Sequence, residues 1–187
     1  TWPLLTKPDG SKYGKTAGGE TIWLSSEKMS PYRFYQAWIS VDDSEVRKLL
    51  LQLTFLSPEE IDDLVTEHDQ HPENRLGQRT LAKELTTIVH GEQAAASAAE
   101  ASDLLFDPSA DISAVSQSAL EFISGEVPST QTQTIQMGII DCLVETGLCQ
   151  SRKDAKRAIT EGGIYVNGER VNEADSSLTA DHLLHGK

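Results

Sequence analysis

The sequence predicts a mostly α protein: a bundle of five or six helices, then, after a linker, a small α+β unit. Three observations carry that expectation. Between Ser30 and Ser124, apolar residues recur at helical spacing behind repeated helix-start signals. Residues 125–134, GEVPSTQTQT, show no apolar periodicity and are rich in turn formers. Beyond them, two short apolar runs flank Asn167-Gly168, the pair that favours a tight hairpin turn.

Residues 1–29 read as loop, with Gly10, Gly14, Gly18, Gly19 and two prolines, and one β-type run at 21–24. Ser30-Pro31 then reads as an N-cap followed by proline at the first helical position, opening a short aromatic helix over 32–40. Val46, Leu49, Leu50 and Leu53 place an apolar stripe on a second helix over about 42–54. Ser57-Pro58-Glu59-Glu60 repeats the start signal with a capping-box glutamate. That helix should run to about His71, where Pro72 stops it. Leu76, Leu81, Leu85, Ile88 and Val89 give a helix over 73–90, with Gly91 as its stop. An Ala-rich helix over 92–106 and another over 112–124 complete the bundle. In the last unit, helices are expected over 135–145 and 151–161, the second closed by Gly162-Gly163 and followed by the hairpin. The resulting domains are 1–29, 30–124, a linker at 125–134, and 135–187.

Bulk composition narrows the function. The 187-residue chain is 38% hydrophobic, so it can build cores, but has no apolar run long enough to span a membrane and no visible signal peptide. It starts without a methionine and reads as a piece of a longer protein. Cys142 and Cys149 form no CxxC pair and are expected as free thiols in a reducing, cytoplasmic setting. His68 and His71 sit three apart on a very acidic stretch. The expectation there is a solvated helix end, with no tightly bound metal. The seven carboxylates from Glu59 to Glu73 read as a solvated face.

The formal net charge of -13 argues against general adhesion to nucleic acid, so any such contact needs a local basic patch. One exists. SRKDAKR, residues 151–157, carries four cations and one acid. On a helix turning about 100° per residue, Arg152, Lys156, Lys153 and Arg157 fall on one face, with Ala155 and Ala158 away from it. Such a face suits a phosphate backbone. Spacing alone leaves a solvated basic face equally open. The surrounding stretch, GLCQSRKDAKRAITEGGIYVNGERV, resembles the RNA-binding module first described in small ribosomal subunit protein four. Ser151, Arg152, Ala155, Ile159, Gly162 or Gly163, Ile164, Val166, Asn167 and Gly168 carry that likeness. It implies RNA contact through Arg152, Lys153, Lys156, Arg157, Asn167 and Arg170.

A second motif lies near the start, KPDGSKYGKTAGGE, residues 7–20. A nucleotide P-loop needs four residues between its first glycine and Gly-Lys-Thr, and Gly10 and Gly14 enclose only three. What remains is an ordinary surface turn or a flexible phosphate-grasping loop, in which Lys12, Lys15 and the Thr16 hydroxyl would meet developing negative charge. The flanks discriminate. Lys7-Pro8-Asp9-Gly10, Lys12-Tyr13-Gly14-Lys15-Thr16, Trp23-Leu24, residues 30–38, residues 55–61 and Thr86 to Gly91 together strongly resemble bacterial tyrosyl-tRNA synthetases. The lysine motif is similar to that family's version of the KMSKS loop.

The resemblance implies roles. Lys12, Lys15 and Thr16 would bind the phosphates of ATP, accompanied by Mg2+, as tyrosine is converted to tyrosyl-adenylate. Residues 30–124 would form the anticodon-binding domain, and the partner would be tRNA(Tyr). An acidic residue is expected to accept hydrogen bonds from the anticodon guanine. Asp42 is the candidate, with Asp43 beside it, and an N-cap role fits Asp42 equally well. The family's HIGH-type motif, its tyrosine pocket and its dimer interface belong to an upstream Rossmann-type domain, and no such motif occurs in residues 1–187. The expectation is therefore a C-terminal portion, truncated at both ends and inactive alone. The competing reading is an RNA-modifying protein, such as a pseudouridine synthase, that shares only the final module.

Overall fold

The computed structural model describes residues 5, 6, 10, 21–107, 110–132 and 136–186. Lys12, Lys15 and Thr16 lie outside the described residues. The chain divides into two compact units, residues 1–102 and 103–187. The linker expected at 125–134 therefore lies within the second unit.

The first unit is helical. Helix α1, Pro31–Ile39, starts where Ser30 accepts a hydrogen bond from the Arg33 amide at 3.2 Å, with Pro31 in its first turn. Its aromatic residues Tyr32, Phe34, Tyr35 and Trp38 are all buried. Helix α2, Asp43–Leu53, buries Val46, Leu49 and Leu50. Helix α3, Pro58–Gln70, opens on the expected capping box: Ser57 Oγ accepts from the Glu60 amide at 3.2 Å, and Glu60 Oε2 accepts from the Ser57 amide at 2.7 Å. The Ser57 amide, and after it the Ser57 side chain, hold the Glu60 carboxyl below its usual pKa. Helix α4, Leu76–His90, packs on α1, α2 and α3, so it is the spine of the unit. Helix α5, Glu92–Phe106, buries Ala95, Ala98 and Ala101 along one face.

Four expectations about elements are corrected. No strand forms at 21–24, where the chain is irregular and bends at Leu24. The helix expected from residue 73 begins only at Leu76: residues Pro72–Asn74 make a 3-10 turn, and Arg75 adopts a left-handed φ of 53° that breaks the helical path. The helix expected at 112–124 is a 3-10 turn, Ile112–Ala114, followed by α6, Gln117–Glu126. Ser116 starts the latter by accepting from the Ala119 amide at 3.2 Å. The helix expected from residue 135 is preceded by a strand.

That strand, β1 (Met137–Gly138), runs antiparallel to β4 (Ser177–Leu178), with Met137 opposite Leu178 and Gly138 opposite Ser177. The Ile139 amide extends the ladder to the Ser176 carbonyl at 2.9 Å. Helices α7 (Ile139–Glu145) and α8 (Arg152–Thr160) pack together. The hairpin is β2 (Tyr165–Val166) and β3 (Glu169–Arg170), with Tyr165 opposite Arg170. Asn167 and Gly168 have φ of 50° and 82°, so both central residues sit at positive φ, as a type I′ turn requires. Ile139, Ile140, Leu143, Ala155 and Ile159 form the core, with Cys149, Ile164, Val166, Val171, Ala174 and Leu178 packed around them. Cys142 and Cys149 are free thiols, as expected, and burial raises the Cys142 pKa. Among the described residues, no helix is long and apolar enough to cross a membrane.

Candidate nucleic-acid interface

The basic helix α8 is built by its two ends. Ser151 Oγ accepts from the Asp154 amide at 3.2 Å and donates to Asp154 Oδ2 at 2.7 Å, so the carboxylate braces the cap. At the other end, the Gly163 amide donates to the Ala158 carbonyl and the Gly162 amide to the Ile159 carbonyl, both at 2.9 Å. This is a Schellman closure, and it places Gly162 at a φ of 80°, where only glycine is unstrained. Between the ends, Ala155 and Ile159 are buried while Arg152, Lys153, Lys156 and Arg157 are exposed. The helical-wheel expectation therefore holds in full: one face feeds the core and the other presents four cations.

The four cations are not equivalent. Arg152 is engaged by Asp141 of α7, and Arg157 lies 3.5 Å from Asp154. Among the described residues, no ion pair or hydrogen bond engages the ammonium group of Lys153 or Lys156. Exposed pairs of this kind are weak, roughly 0–1 kcal/mol, so a phosphate can displace the carboxylates. The hairpin adds a fifth cation. Arg170 lays its guanidinium against Gly162, in the space that a β-carbon would fill. Asn167, the other hairpin residue expected to meet RNA, donates its side-chain amide to the His182 carbonyl at 2.8 Å. Tyr165, across from Arg170, is 60% exposed. Alternation along Ile164-Tyr165-Val166 was the signal for its outward ring.

The second candidate lies at the start of α2. Asp42 occupies the N-cap position, but its side chain makes no capping hydrogen bond and is exposed. Asp43, its neighbour, is used internally: Oδ1 accepts from Gln78 Nε2 and lies 3.3 Å from His68 Nε2. Both carboxylates are exposed, but Asp43 is engaged at Oδ1 whereas Asp42 makes no capping bond. His68 corrects an expectation, since it is 1% exposed rather than solvated. Gly77 of α4 lies against the ring, which a β-carbon there would meet at 3.4 Å. His71 is exposed and lies 3.2 Å from Glu73. All seven carboxylates from Glu59 to Glu73 are exposed, the solvated face that was expected. Among the described residues, no group of three or more His, Cys, Asp or Glu could hold a metal ion.

Comparison with known proteins agrees with these features. Residues 1–107 match the family "tRNA synthetases class I (W and Y)". Residues 119–187 match the "Tyrosine--tRNA ligase SYY-like C-terminal domain". The chain is 45% identical over 187 residues to a tyrosine--tRNA ligase of Geobacillus stearothermophilus. It is 44% identical over 187 residues to those of Bacillus caldotenax and Geobacillus kaustophilus strain HTA426. Each alignment takes in 100% of this chain and 44% of the relative, so the chain spans less than half the length of the proteins it matches. With the exposed basic helix, its Schellman closure and the type I′ hairpin all falling in the second matched region, the chain belongs to the class I tRNA synthetase family of the tryptophan and tyrosine enzymes, on its tyrosyl branch.

Proposed function

We propose that this chain is the tRNA-binding portion, with the ATP-phosphate loop, of an enzyme that activates tyrosine with ATP and transfers it to tRNA(Tyr). The observation that carries the reading is an identity of 44–45% to tyrosine--tRNA ligases, taken over all 187 residues of the chain. Lys12, Lys15 and Thr16 supply positive charge and a hydroxyl to the ATP phosphates. Such groups accelerate the reaction when they bind the transition state more tightly than the ground state. Mg2+ arrives with ATP. Asp42 accepts from the anticodon guanine, and Arg152, Lys153, Lys156, Arg157 and Arg170 meet phosphates. Asn167 contributes by fixing the hairpin to the segment around His182. The domain boundaries at 29/30 and 124/135, a dimer formed through a region outside this chain, and a cytoplasmic setting belong to the same proposal.

The test reads the salt dependence of tRNA(Tyr) binding by the 187-residue chain. Replacing Lys153 and Lys156 by alanine should lower the magnitude of the slope of log K against log salt by about 1.5–2, the loss of two phosphate contacts. An unchanged slope would return α8 to a merely solvated surface. The chain alone should catalyse no pyrophosphate exchange. In the full-length enzyme, Lys15→Ala should slow activation while leaving tyrosine binding nearly unchanged. A pure rise in the tyrosine KM would contradict the transition-state role.

A further inference from the structure

Asp42 is exposed and uncapped, yet the backbone on either side of it is held from inside the bundle. Gln78 of α4 is fully buried. Its Nε2 donates to the Val41 carbonyl at 3.3 Å and also to Asp43 Oδ1. One side-chain amide therefore ties down the residue before Asp42 and the residue after it. His68 of α3 approaches the same carboxylate, with Nε2 3.3 Å from Asp43 Oδ1, close enough for electrostatic contact though poorly aligned for a hydrogen bond. Gly77, beside Gln78, lets this assembly close. A β-carbon there would fall 2.6 Å from Val46 Cγ1 of α2 and 3.4 Å from the His68 ring.

The arrangement is costly for a bundle interior. Among the described residues, Gln78 Oε1 and His68 Nδ1 are buried without hydrogen-bond partners. Buried polar atoms are nearly always paired, and apolar side chains of similar volume would fill the space without that penalty. What the polar pair provides, and an apolar pair cannot, is a fixed orientation for the Val41 carbonyl and the Asp43 carboxylate. An aspartate at an N-cap ordinarily folds back onto the first-turn amides. Here the Asp42 carbonyl accepts from the Glu45 amide at 2.9 Å, while its carboxylate stays outside.

We infer that Gln78, assisted by His68 through Asp43, is a positioning residue that aims the Asp42 carboxylate at the guanine it reads. The inference rests on the proposed role of Asp42. A bidentate contact between a carboxylate and guanine depends on orientation, so a loosened α2 start should cost selectivity before it costs general affinity.

The experiment uses the 187-residue chain and two synthetic stem-loop RNAs, identical except for guanine or adenine at the first anticodon position. Binding is followed by fluorescence anisotropy. Asp42→Asn tests the underlying reading and should reduce the guanine preference about tenfold. Retention of the preference in that variant would overturn the Asp42 role, and the inference with it. Gln78→Met should reduce the preference about fivefold, with affinity for the adenine RNA changed less than about twofold. Asp43→Ala, at a side chain 61% exposed, should do the same without threatening the fold. Asp43→Asn keeps an acceptor oxygen for Gln78 and should restore most of the preference. If Asp42→Asn abolishes the preference while Gln78→Met and Asp43→Ala keep it, or weaken both RNAs equally, the positioning role is wrong. If Gln78→Met does not fold, the Asp43 pair decides the matter alone.

Discussion

Two helical glycines should respond to alanine with opposite signs. Gly125 lies in α6 with nothing within 4 Å of where its β-carbon would stand. Gly125→Ala should gain about 0.5–1 kcal/mol, the ordinary difference between glycine and alanine in a helix. Gly77 lies in α4, and its new β-carbon would meet Val46 Cγ1 at 2.6 Å, about an ångström inside ordinary contact. Val46 is 1% exposed and β-branched, so its rotamer is locked and it cannot swing aside. Overpacking of that kind costs about 1–3 kcal/mol, which exceeds the roughly 1 kcal/mol that helix propensity returns. Gly77→Ala should therefore lose about 1 kcal/mol, leaving the two variants about 2 kcal/mol apart. Urea unfolding followed by circular dichroism measures both. The double variant Gly77→Ala/Val46→Ala should be more stable than the two single losses combined imply, by about 0.5–2 kcal/mol, because truncating Val46 relieves the clash. A Gly77→Ala chain as stable as the parent, or strict additivity in the double variant, would refute the close approach of α2 and α4. It would also loosen the argument for Gln78, whose reach to Val41 depends on that approach.

Three further outcomes are expected. Ile159→Ala, in a core of five buried residues, should cost about 2–5 kcal/mol. Hydrogen exchange should show protection lost at the Val171 amide, which donates to Ile164 at 3.0 Å, while amides of α4 keep theirs. Ser57→Ala removes the capping box of α3 and should cost about 1 kcal/mol by urea unfolding at pH 7. Because the box holds Glu60 below its usual pKa, its contribution is present above the ordinary carboxylate range and lost as pH falls through the lowered value. Burial likewise holds the His90 imidazole, edge-on to Phe34 at 5.0 Å, below its usual pKa. The unfolded chain then binds that proton first. Stability is full above about pH 6.5 and declines as pH drops toward the lower folded value. His90→Gln should flatten the urea midpoint between pH 7 and 5, and an unchanged slope would contradict the assignment.

What could be read from the sequence was what local physics decides. Ser30-Pro31, the Ser57 and Glu60 box, Gly91 and Asn167-Gly168 each act within four residues, and each ended or began an element where expected. The cation face of α8 was legible for the same reason, since a helix of known pitch fixes which residues share a side. The misses are all long-range or conformational. Nothing in residues 73–75 signals that Arg75 turns left-handed. Strand β1 is two residues long and exists because Ser177 and Leu178 lie across from it. Its partner is some forty residues away, beyond the reach of any periodicity. His68 looks solvated among its acidic neighbours until Gly77 of another helix is placed over it. Asn167 and Arg152 were legible as polar residues of a motif. Their engagement by His182 and Asp141 was not.

The distribution of charge bears on how affinity and selectivity are divided in the proposed complex. Residues 1–102 hold 10 basic and 16 acidic residues, and residues 103–187 hold 6 and 13, so both units are acidic. An acidic surface repels a phosphate backbone, and a carboxylate that reads guanine, as proposed for Asp42, works against that repulsion. The unit containing Asp42 is therefore poorly suited to hold RNA by charge. The α8 edge is suited to it, with the Lys153 and Lys156 ammonium groups unengaged among the described residues and Arg157 only loosely paired. A linked pair of sites needs neither to bind tightly, since the first contact raises the effective concentration of the second. If the proposed complex forms in this way, the basic edge would supply most of the salt-sensitive affinity, and Asp42 would add little binding to any RNA except one that presents guanine. In the proposed complex, the acidity of the rest of the chain would then serve selectivity, because it would leave other RNAs few places to settle.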